Sequence, residues 1–330
     1  MKICADAKNI LEILKRHMDI VVTMHANPDG DAVGSALGLA WFLRESLRKN
    51  VCIYNESDFP NWLSFLPVPC AYVTDFREIP FSAPLVVMLD AGETQRFGEN
   101  FPPYIEGKKS VCIDHHLGDT RIATEYNWID PSMAATGQMV AQIVYAENEK
   151  TFEEAAKALY VALSCDTGNF TFGNTSSECI QCLARLVETP LALSPIREAM
   201  DNTWTVRKLH FWGKLFSMVR FAFDEQLAFI AVPQEMYAEY GVSKEDLEGF
   251  VEQMRKVRTV RIALLMREEM KNDSPFIKIS MRSTGDDDVR GILTRFNGGG
   301  HKNAAGAGVF GTPEQVYAML YPHIGNVLQK

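Results

Sequence analysis

Four short segments hold the side chains able to do acid, base or metal chemistry: His25-Ala26-Asn27-Pro28-Asp29-Gly30-Asp31, a lone Asp90, Asp114-His115-His116, and Ser164-Cys165-Asp166-Thr167-Gly168. Singly, each has an ordinary reading. An Asp at a strand end usually caps a helix or faces solvent, Asp-x-Asp beside glycine is as often a turn as a ligand, and adjacent histidines serve packing. Their shared placement at predicted strand and helix ends within one domain changes the reading. Carboxylates gathered about 4 Å apart repel by roughly 4 kcal/mol per pair at an effective dielectric of about 20, so they must protonate or bind cations. Imidazole and carboxylate donors without thiolate suit manganese, iron or another borderline-hard divalent ion. Two such ions balance four aspartates. A pair about 3.5–4 Å apart makes hydroxide near neutral pH and clamps an in-line phosphoryl displacement.

That chemistry needs a scaffold whose strand ends meet. Residues 20–24, 51–54, 84–89 and 110–113 are short continuous apolar runs. They alternate with helical patterns at 5–18, 32–49, 134–147, 152–164 and 176–188, which indicates a parallel α/β sheet. In such a sheet, sites form outside the carboxyl ends of the strands. His25, Asp90 and Asp114 follow strands, and Asp166 ends a helix. Trp41-Phe42 on the second helix is expected in the core. Around Pro190 and Pro195 the alternation stops, and residues 196–218 read as an amphipathic helical connector with Trp204, Phe211, Trp212 and Phe216. A second α/β unit follows, with strands at 227–232, 259–267, 275–282 and 305–310 and helices at 243–257, 287–296 and after Thr312. The expected division is a catalytic domain over 1–190, a connector over 191–222 and a smaller domain over 223–330.

The second unit carries its own polar cluster. Gly298-Gly299-Gly300-His301-Lys302-Asn303 joins the short helix to a strand, and glycine backbone lets N–H groups approach an anion. His301 and Asn303 add donors, while Arg282, beside Ser283, offers the bidentate geometry that phosphate accepts. Composition limits the partners. The 330 residues carry a formal net charge of −9, so a long polyanion would be repelled except where metals or a few arginines invert the field. Small phosphorylated substrates fit better than long duplex nucleic acid. The N-terminus is charged where a signal peptide needs an apolar core, and no run of 18 apolar residues suggests a membrane span. Seven irregularly spaced cysteines suggest free thiols in a reducing cytoplasm, with Cys179 and Cys182 packed in the core.

Together, His25-x-x-Pro28-Asp29-x-Asp31-x-x-Gly34-Ser35, Asp90, Asp114-His115-His116 and Asp166 resemble the four motifs of the DHH phosphoesterase superfamily. The glycine segment resembles the G-G-G-H-x-x-A-A-G signature of a DHHA1 domain. A compact chain bearing both is similar to the NrnA-type oligoribonuclease and pAp phosphatase group, although Arg290 stands where relatives often have a small polar residue. The resemblance implies an active site in the cleft between a parallel-sheet DHH domain and a DHHA1 domain. One metal would be held by His25, Asp29 and Asp90, the other by Asp31, Asp90, His115 and Asp166, with Asp90 bridging. His116 would face the scissile phosphate, Asp114 would orient the histidines, and Arg282, Ser283, Gly299, Gly300, His301 and Asn303 would hold substrate. The ions would be Mn2+, with Mg2+ or Co2+ as alternatives. The substrates would be single-stranded RNA of about 2–5 nucleotides and 3′-phosphoadenosine 5′-phosphate (pAp). Cyclic- or linear-dinucleotide hydrolysis, exopolyphosphatase activity and a non-catalytic nucleotide-sensing module are the alternatives; the oligomeric state, a homodimer included, stays open.

Overall fold

A computed structural model describes residues 2–116, 118, 121–202 and 204–329. The chain divides into two compact units, Met1–Thr203 and Trp204–Lys330.

The first unit is built on strands β1 (Asp19–Met24), β2 (Asn50–Tyr54), β3 (Ala71–Val73), β4 (Leu85–Leu89), β5 (Ser110–Asp114) and β6 (Tyr126–Ile129). They form one sheet in the order β3-β2-β1-β4-β5-β6, every pair parallel. Helices α1 (Ala5–Arg16), α2 (Gly30–Glu45), α3 (Phe101–Ile105), α4 (Thr136–Glu147), α5 (Glu153–Asp166), α6 (Ser177–Leu186) and α7 (Leu193–Asp201) complete it. Strand alternation sorts the core. Ile20, Val22, Leu85, Val87, Val111 and Ile113 pack under α1, α2, α4 and α5. Val21, Val86, Met88 and Cys112 face the other way, against Phe97 and Phe101. Helix α2 is buried nearly all round because α5 lies directly on it: a Cβ on Gly34 would sit 2.4 Å from the Ala158 carbonyl oxygen. Phe42 is buried, but Trp41 stays on the rim, donating to the Pro67 carbonyl at 3.0 Å. All seven cysteines are free, Cys179 and Cys182 among the buried ones.

In the second unit, α8 (Val206–Met218), β7 (Arg220–Ala222), β8 (Leu227–Val232), α9 (Glu235–Tyr240), α10 (Phe250–Met254), β9 (Ile262–Lys271), β10 (Ser274–Ser283), α11 (Val289–Leu293), β11 (Gly299–His301), β12 (Ala304–Phe310) and α12 (Pro313–Leu328) follow in turn. The sheet runs β11-β12-β10-β9-β8-β7, antiparallel except for the β8–β9 pair. One face packs on α11 and α12. The other is covered by α8–α10 at β8 and β9, leaving Lys278 of β10 exposed and Ser280 and Arg282 half-buried. Three expectations change here. The glycine segment is an edge strand rather than a loop. The helix expected at 243–257 is broken by left-handed Gly249 (φ +82°), and the connector is two helices, α7 and α8. Among the described residues, no helix is long and apolar enough to cross a membrane.

Candidate metal centre

The strand order reverses direction between β1 and β4, and a crevice at such a switch point is where open α/β sheets gather ligands. His25 directly follows β1, Asp90 directly follows β4, and Asp114 ends β5 with His115 and His116 after it. Asp29 is the N-cap of α2, accepting from the amides of Asp31 and Ala32 at 3.1 and 3.0 Å. Asp166 is the last residue of α5. Asp90 has φ +65°, a left-handed conformation that non-glycine residues adopt at a cost, typically where function fixes the side chain. Its amide donates to the Ile113 carbonyl at 3.0 Å, tying it to β5.

The two oxygens of Asp90 serve different neighbours. Oδ2 lies 3.5 Å from His25 Nε2, which is 3.8 Å from Asp29 Oδ1. Oδ1 accepts from the Thr136 hydroxyl at 2.8 Å and lies 3.6 Å from His115 Nε2. His115 Nε2 is also 3.0 Å from Asp166 Oδ2 and 3.6 Å from Asp31 Oδ2. It is buried, yet no hydrogen bond with adequate geometry reaches it. A nitrogen ringed by carboxylate oxygens in this way is placed to donate a lone pair to a cation, and the all-nitrogen-and-oxygen donor set agrees. Among the described residues, three groups bring their ligand atoms within 4.8 Å of one another: His25, Asp29 and Asp90; Asp31, His115 and Asp166; and Asp90, His115 and His116.

The surroundings hold these donors in place. Asp31 is fully buried and accepts from the Thr136 and Gly137 amides at 2.6 and 2.9 Å and from Ser35 Oγ at 2.9 Å. It thereby caps the positive end of α4, whose own N-cap, Ala135, supplies no side-chain bond. His115 Nδ1 is 3.3 Å from the Met133 carbonyl, leaving Nε2 for the site. Asp114, buried, sets His116 rather than His115: its Oδ1 is 2.7 Å from His116 Nδ1 and accepts the His116 amide at 3.1 Å. Asn55 donates to the carbonyls of Met24 and His25, and Asn174 ties the carbonyls of Ala134 and Asp166 together.

Electrostatics follow from the crowding. Burial and the like charges of Asp90 and Asp166 push Asp31 well above the usual carboxylate range. Burial also raises Asp166, aided by Asp90 and Asp29 against the pull of His115. Burial alone would depress His25 and His115, but the adjacent carboxylates of Asp29 and Asp90, and of Asp166, Asp31 and Asp90, overrule it and lift each to about 10. Withdrawal from water would raise Asp29, but His25 and the α2 amides hold it at about 2. Burial also works against the Asp114 charge, and His116 reverses that, keeping its carboxyl below the ordinary value. Such a pocket carries protons on its imidazoles or cations in their stead.

In the second unit Arg282 Nε pairs with Glu252 Oε1 at 2.7 Å, and Arg282 also donates to the Met281 carbonyl. Ser283 and Asn303 hold the turn after β10 together. The Ser283 hydroxyl is buried and donates to the Asp287 carbonyl at 2.6 Å. The Asn303 amide donates to Ser283 Oγ and to the Gly285 and Asp287 carbonyls, closing the turn after β10. Gly299, Gly300 and His301 lie exposed on β11, where Gly300 (φ +130°) has no room for a side chain: a Cβ would come within 2.4 Å of the Ala304 carbonyl oxygen. In register, His301 and Arg282 both pair with Ala304, so their side chains share one face of the sheet. Arg290 is exposed. Thr136, Gly137, Asn55 and Asn174 were not legible beforehand, because the bonds that tie them to the site span 30 or more residues, apart from the one from Asn174 to Asp166.

Comparison with known proteins accords with this geometry. Residues 19–163 match the DHH family, N-terminal domain, and residues 226–321 match the DHHA1 domain. A Thermus thermophilus protein named bifunctional oligoribonuclease and PAP phosphatase NrnA is 30% identical over 90% of this chain and 86% of its own length. A Bacillus subtilis protein of the same name is 25% identical, covering 92% and 94%. The crystal structure of an exopolyphosphatase-related protein from Bacteroides fragilis superposes with a TM-score of 0.89 at 26% identity, covering 99% of this chain and 98% of that one. The chain belongs to the DHH family, in the NrnA-type branch that joins a DHH domain to a DHHA1 domain.

Proposed function

We propose that the chain is a manganese-dependent phosphoesterase that hydrolyses short oligoribonucleotides to mononucleotides and pAp to AMP and phosphate. The observation that carries this is the division of Asp90, whose two oxygens face separate donor sets; the NrnA name of the Thermus and Bacillus relatives supplies the substrates. His25, Asp29 and Asp90 would hold one ion, and Asp31, Asp90, His115 and Asp166 the other. When bound, the ions supply Lewis acidity toward the phosphoryl oxygens and lower the pKa of water. Manganese suits the mixed imidazole and carboxylate set better than magnesium, which keeps its waters.

The chain's own residues do the rest. Asp114 fixes the His116 ring through Nδ1, so Nε2 meets a phosphoryl oxygen or gives a proton to the departing one. Thr136 and the first turn of α4 keep Asp90 and Asp31 from turning away. Residues 1–190 carry the chemistry, 191–222 connect, and 223–330 bind substrate through Arg282, His301 and the Gly299-Gly300 edge.

A panel assay of the full chain with Mn2+ tests the reading, comparing pAp, pApA, RNAs of two to ten nucleotides, cyclic dinucleotides and polyphosphate. Fastest turnover on pAp and the shortest RNAs is expected. Hydrolysis of polyphosphate alone would overturn it.

A further inference from the structure

The donors of the candidate metal centre differ in their exposure to solvent. Asp31, Asp90 and Asp114 are buried, whereas the side chains of Asp29, His116 and Asp166 are 58%, 28% and 25% exposed. Two large aromatic rings stand against glycines close along the chain to Asp29 and Asp166. Trp62, 38% exposed, shares the space over Gly30 with Cys165: the point a Cβ there would occupy is 2.1 Å from Cys165 Sγ and 3.2 Å from the Trp62 ring, and Gly30 separates Asp29 from Asp31. Phe172, 54% exposed, lies over Gly168, where a Cβ would come within 2.3 Å of its ring, two residues beyond Asp166. Neither ring belongs to the hydrophobic clusters of this unit.

The chain between Asp166 and Phe172 is strained. Gly168, Asn169 and Phe170 all have left-handed backbone, with φ +53°, +56° and +64°. For a residue as bulky as Phe170 this is a genuine outlier. The Thr167 hydroxyl accepts the Phe170 amide, and the Thr167 carbonyl accepts the Phe172 amide, both at 2.9 Å. The result turns Phe170 inward against Tyr160 and the core and leaves Phe172 outside. Single exposed apolar residues are ordinary. Two exposed aromatic rings against glycines one and two residues from Asp29 and Asp166, one delivered by strained backbone, are a placed feature.

We propose that Trp62 and Phe172 are nucleobase-stacking residues that hold the base of the nucleotide whose phosphate lies at the metal centre. This rests on the reading of the chain as a nucleotide hydrolase and adds what selects the substrate. Stacking is indifferent to sequence, because every base has a π face, and it adds affinity without positive charge on a net acidic surface.

The test separates binding from turnover. Calorimetry with Mn2+ measures AMP and ribose 5-phosphate on wild type, Trp62→Ala, Trp62→Phe, Phe172→Ala and Phe172→Leu; the last keeps apolar bulk without a ring. Each alanine variant should weaken AMP about 5- to 150-fold, ribose 5-phosphate less than twofold, and Trp62→Phe should recover most of the loss. Turnover of pAp and of its abasic tetrahydrofuran analogue should show the same split in KM with kcat kept. Equal affinity of wild type for AMP and ribose 5-phosphate, or equal weakening of both by the variants, would overturn the proposal. So would Phe172→Leu binding AMP as wild type does. AMP binding that depends on the rings, without hydrolysis of any nucleotide, would sustain the stacking and sink the hydrolase reading.

Discussion

Replacing Asp90 by Asn removes one charge and almost no volume. The amide oxygen can still accept the Thr136 hydroxyl, now 2.8 Å from Oδ1, so the local fold should persist. At about 4 Å and an effective dielectric of about 20, a carboxylate attracts a divalent ion by roughly 8 kcal/mol and repels another carboxylate by roughly 4. Neutralising Asp90 therefore loses roughly 16 kcal/mol of attraction to two ions and relieves roughly 12 of repulsion from Asp29, Asp31 and Asp166. The balance, on the order of 4 kcal/mol, is about a thousandfold weaker occupancy of the pair.

Without metal the picture differs. There His25 and His115 carry protons, held at about 10, and their attraction to Asp90 offsets much of that repulsion. Metal-free Asp90→Asn should thus unfold near the wild-type temperature. Wild type in Mn2+ at about a hundred times its Kd should gain about 2.7 kcal/mol, roughly 5–10 °C for a domain of this size, and the variant should gain almost nothing. Scanning calorimetry with and without Mn2+, beside kcat under excess metal, reads both. An equal Mn2+-induced rise in the variant, or a kcat above about a tenth of wild type, would refute the shared-ligand reasoning.

Chelation by EDTA should silence hydrolysis and Mn2+ should restore it better than Mg2+; full activity after exhaustive dialysis against chelator would count against the metal centre. The raised His25 and His115 stabilise the metal-free fold fully below about 6.5, their unfolded value, and that contribution is lost as pH climbs to about 10. Metal-free unfolding temperatures should therefore fall across that window, a decline that Mn2+ abolishes, and a flat metal-free profile would disprove it. Arg282→Ala and His301→Ala should raise KM for dinucleotides and pAp while sparing kcat, lowering kcat/KM about tenfold to a hundredfold; unchanged KM in both would remove the second unit from substrate binding. Gly34→Ala should cost about 1–3 kcal/mol in a denaturant titration, because the new methyl meets the Ala158 carbonyl of α5, and an unchanged midpoint would mean the two helices are not closely packed.

Strand ends β1, β4 and β5 were legible because fully buried parallel strands are unbroken apolar runs, and the polar residue ending each run stands out. What sequence could not reveal is long-range or charged. Helix α4 begins without a capping side chain of its own, and its cap, Asp31, lies 105 residues earlier. The β9–β10 hairpin extends through Glu268, Glu269 and Lys271 to a tight turn at Asn272-Asp273 (φ +51° and +54°). Charges at the tip of an exposed ribbon hid the strand period there. The glycine segment was read for what its backbone could bind, which obscured that His301 and Gly299 pair with β12.

That pairing bears on how Arg282 can serve a substrate. An arginine on a flexible loop would need ordering by each ligand. On β10 it is held beside Ala304, with the small residues Ala304, Gly306 and Gly299 leaving the face open toward His301, while Glu252 fixes Nε. The Glu252 pair also lowers the net charge Arg282 presents, and the second carboxylate oxygen of Glu252 is buried without a partner. An arginine tied in this way favours a ligand matching its planar geometry over any passing polyanion. The same restraint runs through the net charge of −9. On the proposed reading, the metals and the Arg282 face would supply the positive potential a substrate meets, phosphates beyond the first few would gain little, and a preference for very short chains would follow from the surface as much as from the catalytic pocket.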